Sequence, residues 1–292
     1  MKESILYRKL EQDKVICNTC NHRCQIKEGN KGLCGVRKNL AGTLYALNYC
    51  KTISSAIDPI EKKPLYHFMP GTYTYSLATI GCNLSCLWCQ NWQISQLQNT
   101  SPFDEELPGE NISPEEHVNR AIEYGCPSIS YTYTEPTIFL EYALDIMRIA
   151  KEKGLKNIWV SNGYMTREAL ELILPYLDGA NIDLKAWNNE VYLKYCGARV
   201  EPILDNIRYL REKNIHTEVT TLVIPGVNDD REQLENIAEF LADTDKSIPW
   251  HLSRFFPAWK MQDALITPIG TLKMAREIGE KAGLRYIHLG NV

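Results

Sequence analysis

Three thiols stand at C-x3-C-x2-C spacing in the stretch Gly81-Cys82-Asn83-Leu84-Ser85-Cys86-Leu87-Trp88-Cys89-Gln90-Asn91. Cysteines this close cannot staple distant parts of a chain, but they can wrap one small inorganic cluster. Three thiolates hold three corners of a [4Fe–4S] cube, and the fourth iron stays open to an outside ligand. The same logic leaves catalytic zinc a free position. An open iron can chelate the amino and carboxylate groups of S-adenosylmethionine (SAM) and pass one electron into its sulfonium. Homolysis then gives methionine and a 5′-deoxyadenosyl radical, which takes hydrogen from an unactivated C–H bond. That organic chemistry is the cofactor's; the protein supplies position and a dry site. A zinc loop completed by a distant ligand is the plainer alternative. The flanks argue against it, because a β-rich run, Thr72 to Thr79, leads into Gly81 and the aromatic Trp88 directly precedes Cys89.

A second group, Cys17, Cys20, Cys24 and Cys34, has C-x2-C-x3-C-x9-C spacing, and Gly29, Gly32 and Gly35 supply its turns. In a reducing compartment four thiols this close read as a tetrahedral metal site in preference to disulfides. Zinc is the first expectation, an auxiliary Fe–S cluster the second and an empty site the third. Four protein ligands leave no open position, so the expected role is structural. Cys50, Cys126 and Cys196 stand alone and are read as small buried hydrophobes without a role.

The elements that must position these groups fall into two regions. Residues 1–70 form an N-terminal Cys-rich metal-binding region and lead-in; residues 71–292 alternate strand-like and helix-like segments. Strands are expected at Tyr73–Thr79, Ser128–Thr134, Asn157–Ser161, Ala180–Leu184, Thr217–Ile224 and Trp250–Arg254, with Tyr286–Leu289 as a short addition. Helices start at Ser113-Pro114-Glu115-Glu116, a capping box, at Thr166 and after Asp229 and Asp230. Six βα units imply a curved parallel sheet, and residues 93 to 112 read as a long loop. The segment Asp58-Pro59-Ile60-Glu61-Lys62-Lys63-Pro64-Leu65-Tyr66-His67 reads as a solvated linker. Its alternative is a lip over the active site, with Lys63 or His67 meeting an anionic or proton-donating group.

A chain of 292 residues with 44% hydrophobic and 23% charged content is ordinary for a soluble globule. Thirty-two basic against 36 acidic residues, a net charge of −4, argue against broad nucleic-acid binding. Met1 to Lys9 lacks a signal-peptide core, and no run approaches the ~18 apolar residues of a membrane span. Ten cysteines without export signals point to a cytoplasm with reduced thiols, metal or both.

In βα barrels functional side chains gather where strands end. Here those ends carry Tyr133-Thr134-Glu135-Pro136, Ser161-Asn162-Gly163, Asp183-Leu184-Lys185, Ile224-Pro225-Gly226 and Arg254. A Thr-Glu-Pro before a helix is usually only a cap; its occurrence with the others downstream of the cysteine loop favours a shared site.

Together these motifs resemble the radical SAM superfamily, whose cluster motif is C-x3-C-x-aromatic-C. Their order resembles its pyruvate formate-lyase activating-enzyme branch. Asp58 to Leu65, Gly81 to Asn91, Tyr131 to Thr137 and the four-cysteine block look more closely like the radical SAM member of the AmmeMemoRadiSam system. The resemblance spans essentially the whole chain and implies a partial (β/α)6 TIM-type barrel with the cluster at its mouth. It implies Cys82, Cys86 and Cys89 as cluster ligands, with Trp88 beside them. Thr134 and Glu135 fall where the family's Gly-Gly-Glu receives the SAM ammonium, although glycines are absent here. Ser161 and Asn162 fall beside the SAM ribose and methionine moiety. Asp183 falls near the ribose hydroxyls or a cation, Lys185 near the carboxylate, and Val223, Pro225 and Gly226 along adenine. Arg254 is implied as a carboxylate or substrate contact. Activating enzymes carry an aspartate before Thr-Asn-Gly that helps hold a monovalent cation; Val160 stands there instead.

The implied function is reductive SAM cleavage and hydrogen abstraction, with a flavodoxin or ferredoxin donor. The substrate would be a small molecule or macromolecule handled with AMMECR1-like and Memo-like partners, or a backbone glycine on a protein. A non-catalytic zinc-binding interaction protein and an RNA-modifying radical enzyme are the rival readings. The last residues, His288 to Val292, stop where relatives often continue.

Overall fold

The computed structural model describes residues 1–96 and 106–292. Its centre is one sheet of eight strands: β1 Ser54–Pro59, β2 Tyr73–Ala78, β3 Ser128–Tyr131, β4 Lys156–Ser161, β5 Gly179–Asp183, β6 His216–Val223, β7 Trp250–Arg254 and β8 Ile287–Gly290. Spatial order follows chain order, with β1 and β8 at the edges. β1 runs antiparallel to β2, and β2 to β8 are all parallel, with Ser128 opposite both Thr74 and Lys156. This is an open α/β barrel, as the alternation of elements implies, and the short addition near residue 287 joins it as an edge strand.

Six helices cross between parallel strands: α1 Pro114–Glu123, α2 Leu140–Glu152, α3 Arg167–Ile173, α4 Glu201–Glu212, α5 Arg231–Asp245 and α6 Ile269–Ala282. Their starts are chemical. Ser113 accepts from Glu116 N, Thr166 from Ala169 N and Asp230 from Gln233 N, each satisfying an orphan first-turn donor. Ile146, Ala150, Ile203, Ile207, Leu234 and Ile237 are buried on the sheet-facing stripes.

Residues 58–67 are neither a solvated linker nor a lip. β1 runs to Pro59 and a 3-10 turn covers Ile60–Lys62. Ile60 and Leu65 are fully buried and pack with Ile158, with Phe68, Met69 and Val160 against them. The backbone is tied down as well, Asn181 Nδ2 donating to Pro64 O at 2.7 Å and Glu218 accepting from Tyr66 N and His67 N at 3.0 and 2.8 Å. Because Pro59 and Asp58 pair with Tyr73 and Thr74 at the start of β2 and Glu218 lies in the first half of β6, the segment plugs the barrel end opposite the strand C-termini.

The N-terminal region contributes small antiparallel sheets, Lys2–Glu3 with Thr43–Ala46 and Arg37–Leu40, and Tyr7–Lys9 with Val15–Cys17 and Gln25–Ile26. Its anchor is a buried bidentate ion pair, Arg37 Nη1 and Nη2 on Glu141 Oε1 and Oε2 at 2.8 and 2.7 Å. Part of the loop expected at 93 to 112 is structured: Trp92–Ser95 makes one helical turn and Glu110–Asn111 a short strand. Residues 97–105 lie outside the described residues.

Candidate active site

The three-cysteine loop follows β2 at the C-terminal end of the parallel strands. Gly81 N donates to Ile94 O (2.8 Å), Ser85 N to Cys196 O (2.9 Å) and Leu87 N to Tyr195 O (3.0 Å), so the loop is pinned from two sides. Gly81 has φ +101°, and a Cβ there would sit 2.8 Å from the Cys34 carbonyl oxygen, so only glycine fits. Leu84 N–H points at Cys82 Sγ (3.4 Å) and the Ser95 hydroxyl lies 3.1 Å from Cys89 Sγ.

A hydrogen bond from Cys196 lowers the pKa of the Cys86 thiol, against burial and with help from the Lys185 charge. Burial pushes Cys82 well up, helped by Glu135, and also pushes up Cys89. Cys82 and Cys89, each in electrostatic contact with Cys86, therefore resist becoming thiolates unless a cationic centre lies among the three. Soft sulfur donors, N–H and O–H groups aimed at two of them and a nearby ammonium suit an iron–sulfur cube.

The next strand end supplies a strained turn. Tyr133 has φ +63°, the left-handed backbone a glycine adopts freely, which ends β3 at Tyr131, short of Thr134. Its carbonyl accepts from Asn91 Nδ2 at 2.7 Å. Its hydroxyl donates to Asp58, which also receives Lys63 Nζ at 2.6 Å, and Lys63 Nζ lies 4.3 Å from the Tyr133 ring centre. Lys63 is thus buried, with its charge met by Asp58.

Glu135 is 1% exposed and caps the 3-10 turn Pro136–Phe139. Its Oε1 accepts from Thr137 N (3.0 Å), Thr137 Oγ1 (2.6 Å) and Ser161 Oγ (2.8 Å), and its Oε2 from Asn162 N (2.9 Å). Burial raises its pKa against these four donors. The carboxylate therefore ties the turn after β3 to the turn after β4. Thr134 Oγ1 donates to Thr79 O at 2.8 Å, which adds a tie to β2. Asn162 Nδ2 reaches Asn83 Oδ1 at 2.7 Å and lies 3.9 Å from Cys82 Sγ.

After β5, Lys185 Nζ meets Asp183 Oδ2 at 2.7 Å, with 14% and 40% of the two side chains exposed. Burial opposes the Lys185 charge, but Asp183 and the thiols of Cys86 and Cys196 hold its pKa well above the ordinary value. Trp88 is 4% exposed, its ring 5.9 Å from that of Tyr195. Val223 is buried and Pro225 half-buried at the end of β6. Arg254 Nε donates to Thr267 O (2.8 Å) and its guanidinium lies 5.3 Å from the Phe256 ring, so it braces the following loop. Val160 packs into the apolar plug.

Cys196 is fully buried, as a lone cysteine is expected to be, but it lies beside Cys86, a neighbourhood that sequence reasoning does not assign it. No spacing rule links it to a loop 107 positions away in the chain. Sequence reasoning also gave no role to Asn83 and Asn91, although both lie within the cysteine stretch.

The family model described as the radical SAM superfamily matches residues 77–241. An uncharacterised protein of Methanocaldococcus jannaschii is 47% identical over 293 aligned positions, covering all of this chain and 86% of that one. The pyruvate formate-lyase 1-activating enzyme of Escherichia coli is 24% identical over 165 positions, covering 56% of this chain and 66% of that enzyme. A radical SAM methyltransferase structure from Sphaerobacter thermophilus superposes with a TM-score of 0.57 at 17% identity, covering 77% of this chain and 68% of that one, a likeness of fold.

Proposed function

This chain belongs to the radical SAM superfamily, and we propose that Cys82, Cys86 and Cys89 hold its open-cornered cluster. The superfamily implies a [4Fe–4S] cluster and SAM, and kinship with activating enzymes makes the chain an enzyme. Held by these thiolates, such a cluster would supply the electron for reductive cleavage of SAM and so the means of hydrogen abstraction from the substrate. The residues around it do the positioning. Lys185 offsets negative charge at Cys86. Trp88 and Cys196 keep water from the loop's inner side. Glu135 fixes the turns bearing Thr134, Ser161 and Asn162. The half-exposed Asp183 carboxylate, with Lys185, is the polar edge offered to a SAM ribose and carboxylate. Val223, Pro225 and Arg254 border the same mouth from β6 and β7. The observation that carries the reading is the set of three mutually interacting thiols with the Lys185 ammonium beside them.

In this reading the electron comes from an external low-potential carrier of the flavodoxin or ferredoxin class. The substrate is a small molecule or macromolecule handled with AMMECR1-like and Memo-like partners. Two features favour this over a protein glycine: the apolar surroundings of Val160, where activating enzymes place a cation-binding aspartate, and the four-cysteine block. That block is a metal site, of zinc or an auxiliary cluster. The test compares metabolites, RNA hydrolysates and glycyl-radical signals in cells with and without the gene. A gene-dependent small-molecule or RNA difference supports the reading, whereas a glycyl radical on a partner protein replaces it with the activating-enzyme one.

A further inference from the structure

Beyond the end of β3 the chain bends through a three-residue turn. Thr134 N donates to Thr132 O at 2.8 Å, and the residue between them, Tyr133, has φ +63°. A turn of that hand is rare and strained, and a side chain with a Cβ adds strain that glycine escapes. Such conformations persist only where the surroundings over-determine them, and they gather at functional sites.

Two grips hold Tyr133. At the backbone, Asn91 Nδ2, two positions after Cys89, donates to Tyr133 O at 2.7 Å and so fastens the turn to the three-cysteine loop. At the far end of the side chain the hydroxyl donates to Asp58, a buried residue of β1. Asp58 also takes Lys63 Nζ at 2.6 Å and Lys62 Nζ at 2.9 Å, and Lys63 Nζ lies 4.3 Å from the centre of the Tyr133 ring. A buried carboxylate held by two ammonium groups is a fixed post, and the phenol spans from that post to the turn. The ties of Thr134 and Glu135 act on Thr79, Thr137, Ser161 and Asn162. They fix the chain after the turn, and none of them reaches the side chain or the carbonyl of Tyr133.

We propose that Tyr133 is a positioning residue for SAM: its phenol, anchored on the Asp58–Lys63 pair, holds the turn before Glu135 in the left-handed form that docks on the three-cysteine loop. The proposal rests on the preceding reading for the identity of the ligand. Without the hydroxyl the strained backbone relaxes, the fraction of molecules with a docked turn falls, and the apparent affinity falls with it. Glycine adopts φ +63° without strain, so a glycine at this position needs no anchor.

The test is the order of two variants. Tyr133→Phe keeps the Cβ and the ring but loses the anchor, whereas Tyr133→Gly loses the anchor and the strain together. SAM binding to the anaerobically reconstituted full chain is measured by equilibrium dialysis, with iron assayed on the same samples. Tyr133→Phe should bind SAM about tenfold more weakly at unchanged iron content, and Tyr133→Gly should stay within about threefold of the wild type. Packing or direct contact by the phenol predicts the opposite order, because glycine removes more of the side chain. Asp58→Leu/Lys63→Met takes away the post and leaves Tyr133 in place; it should weaken binding as Tyr133→Phe does, and adding Tyr133→Gly should restore it. Wild-type affinity in Tyr133→Phe, or glycine binding no better than phenylalanine, overturns the proposal alone. A wild type that takes up iron and binds no SAM overturns the preceding reading and the proposal with it. Amide hydrogen exchange over Tyr131–Glu135 in the cluster-free chain needs neither group: it should be faster in Tyr133→Phe than in the wild type, and equal exchange overturns the anchor.

Discussion

Replacing Glu135 with glutamine asks whether its carboxylate is a tie between turns or a charge held ready for SAM. The substitution keeps shape and removes charge. Oε1 accepts three hydrogen bonds and Oε2 one. A glutamine keeps its oxygen on the three-donor side, so its NH2 group faces the Asn162 N–H, donor against donor. One hydrogen bond to a charged group is lost outright, about 1.5–3 kcal/mol, and the other three lose their charge assistance. We expect a destabilisation of about 3 kcal/mol, a large part of the 5–15 kcal/mol typical of a folded domain. In urea that moves the unfolding midpoint of the cluster-free chain down by about 1 M or more. SAM affinity and iron content, measured on reconstituted protein, should fall together because the turn bearing Asn162 shifts. An unchanged urea midpoint with at least about tenfold weaker SAM binding would refute the reasoning, because the carboxylate would then face the ligand.

Arg37→Leu strands the Glu141 carboxylate in the core, and equilibrium unfolding should register a loss of about 3–5 kcal/mol, largely recovered in Arg37→Leu/Glu141→Leu; a loss under about 1 kcal/mol contradicts the anchor. Burial opposes charge on Glu218, yet His216, His251 and the His67 and Tyr66 N–H groups hold its pKa down at about 2, from 4.5. A depressed carboxylate stabilises the fold above its unfolded pKa and loses that contribution as pH falls through the folded one. Glu218 should therefore contribute about 3 kcal/mol at neutral pH, fading between pH 4.5 and about 2. The stability gap between wild type and Glu218→Gln, followed by urea unfolding, should narrow across that window; a constant gap contradicts it. Gly81→Ala forces a Cβ to 2.8 Å from the Cys34 carbonyl at φ +101°, a strain of about 1–3 kcal/mol, and should lower iron retention on gel filtration; full retention with an unchanged melting temperature argues against that close contact.

What could be read from the chain was local. Ser113, Thr166 and Asp230 announce their helices because a cap acts within three residues. The parallel strands show because both faces of such a sheet are buried. The Asp58–His67 segment reads as an exposed loop because its charges and prolines carry no sign of the buried partners that the fold gives them. Lys63 is answered by Asp58, which also receives the hydroxyl of a tyrosine 70 positions later in the chain, and the backbone at Pro64 and His67 is answered by Asn181 and Glu218. Tyr133 ends its strand early because the local β-rich pattern carries no sign of a left-handed backbone held by Asn91. Glu135 was legible both as a cap and as a conspicuous carboxylate, but its four donors come from two turns that only folding brings together.

The central claim is that three sulfurs leave one iron open to SAM. The direct measurement is 5′-deoxyadenosine formed from SAM by anaerobically reconstituted, dithionite-reduced protein, with Cys86→Ala beside the wild type. Formation by the wild type and its abolition in Cys86→Ala is the predicted result. An equal yield from both proteins, or none from a wild type that has taken up iron and bound SAM, contradicts the account.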